Sequence, residues 1–292
     1  MRELTIINYI KSIVQNNSKD IKIGIGDDCA VLEYNKDNYL LCSTDMIIEN
    51  THFVINKASD YKKIGHKAVA VNVSDIVAMG GVAKYITISI GLPNNIEQKK
   101  IKQLYSGILD TCKKYNVNII GGDTNKSKDL VISISILGIV NKKKLVLRST
   151  AKKGDFIFIT GPIRNGKNEH LTFSPRIEES EFLVNKYKVN SMIDVSDGIA
   201  LDLNRICYAS NVGCNLYKTF LPLSTGLKFD DALYYGESFE LLFTMNSKEA
   251  NKLLKSDTKF HFFVIGDIIE KNKGINIIDK NGIKSKLKKK GF

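Results

Sequence analysis

Apolar and polar residues alternate in short blocks along the first half of the chain, and the blocks have two different periods. Runs that are continuously apolar or alternate at every second residue predict strands at 21–25, 39–43, 85–90 and 130–140. Runs with apolar positions three and four apart predict helices at 2–14, 62–79 and 96–115. Gly80 and Gly81 directly follow the second helix, where glycine commonly ends a helix.

The second half has the same mixture of elements and follows a lysine run at 142–144, so a boundary is expected near 145–152. Strands are predicted at 156–160, 191–195, 213–217, 240–245 and 261–266. Helices are predicted at 178–186 and 201–210, with a polar loop over 162–176. The pattern predicts two domains, 1–147 and 148–292, in a protein of the α+β or α/β class.

Composition is that of an ordinary globular protein, although the charge is unusual. The 292 residues are 43% hydrophobic and 25% charged, which suits two domains with sizeable cores. The net charge is +12, and eight lysines against Asp279 give residues 271–292 a charge of +7. A basic segment is one mark of nucleic-acid binding, but this one has no aromatic residue before Phe292. We interpret the lysines as a compositional bias and expect no nucleic-acid partner.

Features that the sequence lacks exclude several classes of protein. No run of about 18 apolar residues predicts a membrane span, and residues 1–10 lack the apolar core of a signal peptide. The five cysteines are odd in number and lack CxxC spacing, so we expect free thiols, a cytoplasmic location and no membrane partner. GxSxG, HExxH and Cys/His zinc spacings are also absent.

Aspartates beside glycine, serine or threonine are the strongest chemical signal. They occur in five segments, which are GIGDD at 24–28, STD at 43–45, NVSD at 72–75, GGDT at 121–124 and DVSDG at 194–198. Any one of them also fits a helix N-cap or an Asx turn. Grouped carboxylates repel one another, and Mg²⁺ is bound by carboxylates together with substrate phosphates. Together the segments predict a site that binds several Mg²⁺ ions and handles phosphate groups.

A second phosphate-binding pattern is a weaker candidate. Residues 161–168 match the GxxxxGK of a P-loop, but Asn168 stands where the Mg²⁺-binding serine or threonine belongs. Pro175 follows too soon for the helix that such a loop requires, and Pro162 removes a backbone donor. We interpret the segment as a surface loop.

Longer segments around the aspartates carry a family resemblance. They are GIGDDCAVL at 24–32, STDMIIENTHF at 43–53, GHKAVAVNVSDIVAMGG at 65–81, IIGGDT at 119–124, LRSTAKKGDFIFITG at 147–161, DVSDGIALDL at 194–203 and GESFELLF at 236–243. Together they resemble the thiamine-monophosphate kinase family of the aminoimidazole-ribonucleotide-synthetase-like superfamily. The resemblance implies an N-terminal ATP- and Mg²⁺-binding domain, a C-terminal α/β domain, and a homodimer in which the N-terminal halves form a sheet or barrel spanning both protomers. The implied reaction transfers a phosphoryl group from ATP to thiamine monophosphate.

The same resemblance assigns roles to individual positions. It implies metal ligands at Asp28, Ser43, Thr44, Asp45, Asp75, Asp123, Asp194 and Asp197. Catalysis is expected to depend on Asp28, Asp45, Asp75, Asp123 and Asp197. ATP contacts are implied at Tyr105, Gly122, Asp123, Arg148 and Ser196, and substrate contacts at His52, Glu237 and Phe292.

Departures from the family pattern concern the substrate side more than the metal side. Thr150, Ser238 and Phe239 replace residues of the family motifs, and an RPxPR loop is reduced to LTFSPR at 171–176. The acceptor phosphate has a second pKa of about 6, so it needs no general base, and we expect direct in-line transfer assisted by Mg²⁺. Two alternatives stay open. One is another ATP-dependent enzyme of the superfamily, such as an aminoimidazole ribonucleotide or selenophosphate synthetase, and the other is a basic nucleic-acid-binding protein.

Overall fold

Two β-sheets with helices packed on them form the protein, which we describe from a computed structural model over residues 3–15, 18–56, 60–164 and 169–288. One sheet is built from residues 21–141 and the other from residues 156–286. This mixture of sheet and helix in both halves confirms the predicted class. Among the described helices, none combines the length and apolar composition that crossing a bilayer requires.

The first sheet has six strands within the described residues, in the order β1–β2–β3–β6–β4–β5. They are β1 (Ile21–Ile23), β2 (Ala30–Glu33), β3 (Asn38–Ile48), β4 (Val82–Pro93), β5 (Asn118–Ser127) and β6 (Val131–Asn141). Only β4 and β5 of these strands pair in parallel. On β6, Ile132, Ile134 and Ile136 are buried on one face, while Ser133 and Ser135 lie on the other, more open face.

Three helices accompany this sheet, namely α1 (Glu3–Ile13), α2 (Tyr61–Ala78) and α3 (Gln98–Tyr115). Helix α2 begins where the Asp60 side chain accepts a hydrogen bond from the Lys62 backbone N–H. It ends before Gly80, whose φ of +73° suits glycine at this position. Helices α2 and α3 approach closely at Gly107, which has no side chain. A Cβ at this position would lie 1.9 Å from the Lys62 carbonyl oxygen and would clash with it.

The second sheet has seven strands in the described part of the chain, in the order β13–β12–β9–β11–β7–β10–β8. They are β7 (Phe156–Ile159), β8 (Ser191–Asp194), β9 (Gly213–Tyr217), β10 (Leu241–Met245), β11 (Phe263–Ile269), β12 (Ile275–Ile278) and β13 (Lys284–Lys286). Its helices are α4 (Ile177–Lys186), α5 (Ile199–Ser210), α6 (Phe229–Tyr234) and α7 (Ser247–Leu254). Of these pairs only β9 and β12 are parallel.

Helix α2 connects the two halves. It packs on β3, β4 and β6 of the first sheet and also contacts β8 and α4 of the second half. Phe158, Met192 and Phe243 of the second sheet belong to the same apolar core as the buried residues of α2. The opposite face of that sheet packs with α5 and α6 in a separate core. As a result, β3, α2 and β8 present side chains to a common space.

Six elements were not among the sequence predictions, namely β2, β5, β12, β13, α6 and α7. Strand β5 contains Ile119 and Ile120 but continues as the polar GGDTNK, which has no apolar alternation to indicate a strand. It lies at the edge of the sheet and is exposed along almost its whole length. Neither face is buried, so apolar side chains are not required at alternate positions.

Candidate active site

Three of the predicted metal ligands come together beside α2 from separate segments. Asp28 precedes β2, Asp75 lies near the C-terminal end of α2, and Asp194 ends β8. One carboxylate oxygen from each lies within 4.8 Å of the other two. Asp28 and Asp194 are buried and Asp75 is half-buried. A compact set of carboxylate oxygens suits a hard divalent cation such as Mg²⁺, so the donor set fits the predicted metal. We call this set the acid cluster.

Burial and mutual repulsion change the proton affinity of these acids. Burial, followed by the charges of Asp45 and Asp194, raises the pKa of Asp75 well above its usual value. Burial and the charge of Asp28 raise the pKa of Asp194 in the same way. Asp45 lies nearby on β3, and burial with the charges of Asp197 and Asp28 raises its pKa to about 6. A bound divalent cation favours the ionised carboxylates and displaces their protons.

Hydroxyl groups line the acid cluster on the side of β3 and α2. Ser43 Oγ donates to Asp75 at 2.5 Å, and Ser74 Oγ donates to Asp194 at 2.6 Å. Side chains alternate along β3, so Ser43 lies on the α2 side of the sheet and Thr44 on the opposite face. There the Thr44 hydroxyl donates to the Ile134 carbonyl at 3.1 Å. The structure therefore brings Ser43, but not the Thr44 hydroxyl, to the cluster.

A first arginine adds positive charge at the edge of the acid cluster. The Arg148 guanidinium pairs with both oxygens of Asp28, and its backbone N–H donates to Asp27 at 3.1 Å. Burial lowers the pKa of Arg148, but the charges of Asp28 and Asp27 raise it by more. The net pKa is above the usual value, so the guanidinium stays charged. Burial and the charge of Asp28 raise the pKa of Asp27 to about 7. Asp27 precedes the predicted Asp28 and was not singled out from the sequence.

A second arginine was also not identified from the sequence. Arg205 on α5 pairs with Asp197 at 2.5 Å and with the fully buried Asp202 at 2.6 Å. Asp202 also accepts a hydrogen bond from the Asp197 backbone N–H at 3.1 Å. The spacing of Asp202 and Arg205, three residues apart on the helix after DVSDG, was the available signal.

One open cavity of about 1070 Å³ extends from the acid cluster to the predicted substrate residues. Its acidic end is lined by Asp28, Ser43, Asp45, Asp75, Arg148, Asp194, Ser196, Asp197 and Arg205. Thr44 also contributes to the lining. The other end, which we call the substrate end, includes His52, Lys67, Glu237 and Phe239. Phe292 lies outside the described residues.

The substrate end is formed by the turn after β3 and the loop before β10, together with Lys67 of helix α2. His52 follows β3, and its Nδ1 accepts a hydrogen bond from the Ile48 N–H at 3.0 Å. Glu237 lies in the loop before β10, with a positive φ of 64°, and pairs with Lys67 and with His170. Lys67 was not predicted, although it is an isolated charge at the start of the apolar stretch of α2 and lies eight residues before Asp75.

Three predicted ATP-side residues, Tyr105, Gly122 and Asp123, are not among the residues that line this cavity. Strand pairing connects Asp45 through Ile134 and Ile88 to Gly122, so β5 lies three strand spacings, about 14 Å, from β3. Asp123 is exposed on β5, and Asn125 donates to its carboxylate at 2.5 Å. Tyr105 on α3 packs half-buried against the core of the first half.

The P-loop-like segment is described only at Gly161–Arg164, because residues 165–168 lie outside the described ranges. Ile163 forms an isolated bridge with Leu223, and its N–H donates to the Pro222 carbonyl at 3.0 Å. The next α-helix in the described residues begins at Ile177. The described residues on either side of this gap therefore do not show the strand–loop–helix arrangement that a P-loop requires.

Comparison of the sequence with known proteins shows which family the chain belongs to. Family models for AIR synthase related protein match residues 26–140 with the N-terminal domain and residues 132–279 with the C-terminal domain. Thiamine-monophosphate kinase of Buchnera aphidicola is 37% identical, aligning 98% of this chain with 96% of the relative. The Bacillus subtilis enzyme is 32% identical, aligning 100% of this chain with 99% of the relative. This chain belongs to the thiamine-monophosphate kinase family.

Solved structures of the thiamine-monophosphate kinase family have the same fold. The structure of AaThiL complexed with AMPPCP and TMP has a TM-score of 0.83 at 28% identity, covering 100% of this chain and 98% of that chain. Thiamine monophosphate kinase from Aquifex aeolicus has a TM-score of 0.77 at 27% identity, covering 98% and 100%. The predicted family resemblance and the two-domain fold of the superfamily are confirmed.

Proposed function

We propose that this protein transfers the γ-phosphoryl group of ATP to thiamine monophosphate and forms thiamine diphosphate. The observation that carries the proposal is one cavity with an acid cluster at one end and the His52–Glu237 region at the other. Relatives over almost the whole chain are thiamine-monophosphate kinases, and a solved neighbour is complexed with AMPPCP and TMP. Two phosphate-bearing ligands fit such an arrangement when they meet at the acid cluster.

Mg²⁺ is the metal that we assign to the acid cluster, with Asp28, Asp75 and Asp194 as its holders and Asp45 and Asp197 at the rim. When bound, it would supply charge neutralisation for the phosphates during transfer. Ser43 and Ser74 donate hydrogen bonds to Asp75 and Asp194, which fixes the orientation of these carboxylates.

The protein side chains supply position and charge rather than a general base. Thiamine monophosphate is largely a dianion at neutral pH, because the second pKa of a phosphate ester is about 6. Burial and the charge of Lys67 lower the pKa of His52, so protonation of its imidazole is disfavoured. Glu237 is an unsuitable base because Lys67 and His170 pair with its two oxygens. The arrangement supports direct in-line attack, with Arg148 and Arg205 as positive charges beside the phosphates.

A homodimer is part of this proposal, because Gly122 and Asp123 on β5 are separated from the acid cluster within one chain. Strand β5 is an exposed edge, with Ile119 37% and Ile120 57% exposed, and such edges require a partner or protection. A second copy that covers β5 would bring Gly122 and Asp123 into contact with another protomer. We also propose a domain division at 147/148, supported by the separate sheets, and a cytoplasmic location, supported by the free cysteines.

An acceptor panel tests the proposed reaction. The purified full chain is incubated with Mg·ATP and, in separate reactions, thiamine monophosphate, thiamine or aminoimidazole ribonucleotide precursors, and products are identified by mass. We expect thiamine monophosphate to be the only acceptor of this panel that reacts with ATP, and to give thiamine diphosphate and ADP in equal amounts. ADP release that depends on another acceptor, or none with thiamine monophosphate, contradicts the proposal.

A further inference from the structure

A buried lysine lies at the substrate end of the cavity and contacts three separate segments. Lys67 is 0% exposed, and its ammonium donates to the His52 carbonyl at 2.9 Å. It forms an ion pair with Glu237 Oε1 and lies 2.7 Å from His170 Nδ1. Partners from the turn after β3, the 169–171 turn and the loop before β10 therefore all lie within hydrogen-bond distance of the ammonium.

Burial of this charge is unfavourable and is not explained by stability. Burial lowers the pKa of Lys67 more than the charge of Glu237 raises it, so the site is a costly place for an ammonium. Replacing such buried pairs by apolar groups is often neutral or stabilising, and a role in fixing one geometry is an alternative explanation. His170 Nδ1 also lies 2.8 Å from Glu237 Oε2, and it can serve only one of these two neighbours at a time. The contacts of Lys67 with His52 and Glu237 are therefore the firm ones.

The loop that carries Glu237 needs such support. Glu237 and Phe239 have positive φ values of 64° and 51°, which are unfavourable for residues other than glycine. Phe239 is held by stacking on Phe173, with ring centroids 4.0 Å apart. Glu237 is held by Lys67 and His170, so the two strained residues have separate anchors.

The position of Lys67 on α2 connects the two ends of the cavity. Lys67, Val71 and Asp75 are spaced four residues apart and line the cavity together. Eight residues of helix correspond to about 12 Å along the axis. The same rigid helix thus carries an acid-cluster ligand and the anchor of the substrate end.

We propose that Lys67 is a positioning residue for the acceptor substrate, which holds the Glu237 carboxylate and the His52 turn at a fixed distance from the acid cluster. The proposal rests on the proposed function, because it assigns the substrate end to thiamine monophosphate.

The test compares Lys67→Met with Lys63→Met, a matched variant on the same helix that removes an exposed lysine paired with Asp60 at 3.7 Å. We expect the KM for thiamine monophosphate to rise at least about tenfold in Lys67→Met, because an unpaired Glu237 no longer keeps its position. The KM for ATP should stay within about twofold, and Lys63→Met should match the wild type. A purely structural role predicts equal losses for both substrates.

Two outcomes overturn the inference without affecting the proposed function: an unchanged KM for thiamine monophosphate, or a parallel rise in both KM values. If Lys67→Met does not fold, as judged by its thermal unfolding, Lys67→Gln keeps an N–H donor and replaces it. A smaller but selective rise in the KM for thiamine monophosphate is then expected, and an unchanged KM overturns the inference. Failure of the proposed function is distinguishable, because the wild-type enzyme would then make no thiamine diphosphate.

Discussion

The two ends of the cavity differ in how the charges of their side chains are balanced. The acid cluster gathers Asp28, Asp75 and Asp194 with raised pKa values for Asp75 and Asp194, so it needs a cation to hold its carboxylates ionised. The substrate end balances its own charges, because Lys67 and Glu237 pair directly. This difference supports our proposals that the acid cluster binds a metal ion and that the substrate end is held in one geometry by its own ion pair.

Asp75→Asn should have the largest effect and acts only on the acid cluster. We expect turnover to fall roughly 10³-fold, because the variant loses a metal-binding charge that stabilises the transferring phosphoryl group. The fold should survive, since Asn retains an oxygen that accepts from Ser43. Steady-state kinetics with a Mg²⁺ titration measures this, with Asp110→Asn on the exposed side of α3 as the control. Wild-type turnover with normal Mg²⁺ dependence in Asp75→Asn would contradict metal binding at the acid cluster.

Glu237→Gln should act on the substrate end and have a smaller effect on catalysis. The KM for thiamine monophosphate is expected to rise about tenfold, and the free energy of unfolding should fall by about 2 kcal/mol, because Lys67 loses its buried counter-charge. Denaturant unfolding and kinetics measure the two quantities. A loss of Mg²⁺ affinity instead would place Glu237 with the acid cluster and break the distinction.

Mixing two inactive variants tests whether the site is shared between protomers. If the partner supplies Asp123, a mixture of Asp123→Asn and Asp75→Asn should recover about a quarter of wild-type activity, because half of the dimers are mixed and each has one intact site. Activity is measured after joint refolding or co-expression. Each variant mixed with itself serves as the control, and a mixture as inactive as these would show that the partner does not supply Asp123.

The smallest expected effect is a pH-dependent change in stability. Asp45, with a pKa of about 6, and Asp27 and Asp202, with pKa values of about 7, are all raised above the usual value near 3.9. An acidic group whose pKa is higher in the folded state than in the unfolded state contributes its full stabilisation below about pH 4. This stabilisation is lost as the pH rises through the folded-state pKa, here about 6 to 7.

Calorimetry in a chelator should therefore give a lower Tm at pH 8 than at pH 5 from this set of groups. Added Mg²⁺ should raise the Tm by a few degrees more at pH 8 than at pH 5, because fewer protons then compete with the metal. An equal Mg²⁺ effect at both pH values would contradict the raised pKa values.

The same contrast explains how much was predictable from the sequence. Asp45, Asp75 and Asp194 lie in strands and a helix that the apolar periodicity of the sequence indicates. Their motifs, at the ends of predicted strands and in a predicted helix, were therefore enough to predict a shared site. Lys67 was missed because a lysine among apolar residues of a helix is usually an exposed position, and only the three-dimensional contacts identify its partners. Strand β5 was missed because an edge strand without a buried face leaves no apolar pattern.

The most direct test is a crystal structure of the full chain soaked with Mn²⁺ and a non-hydrolysable ATP analogue, examined by anomalous scattering. We expect a metal peak between the carboxylates of Asp28, Asp75 and Asp194, with the analogue's phosphates beside it. Anomalous peaks only at other sites, in crystals of enzyme that is active with Mn²⁺, would show that the acid cluster is not the metal site.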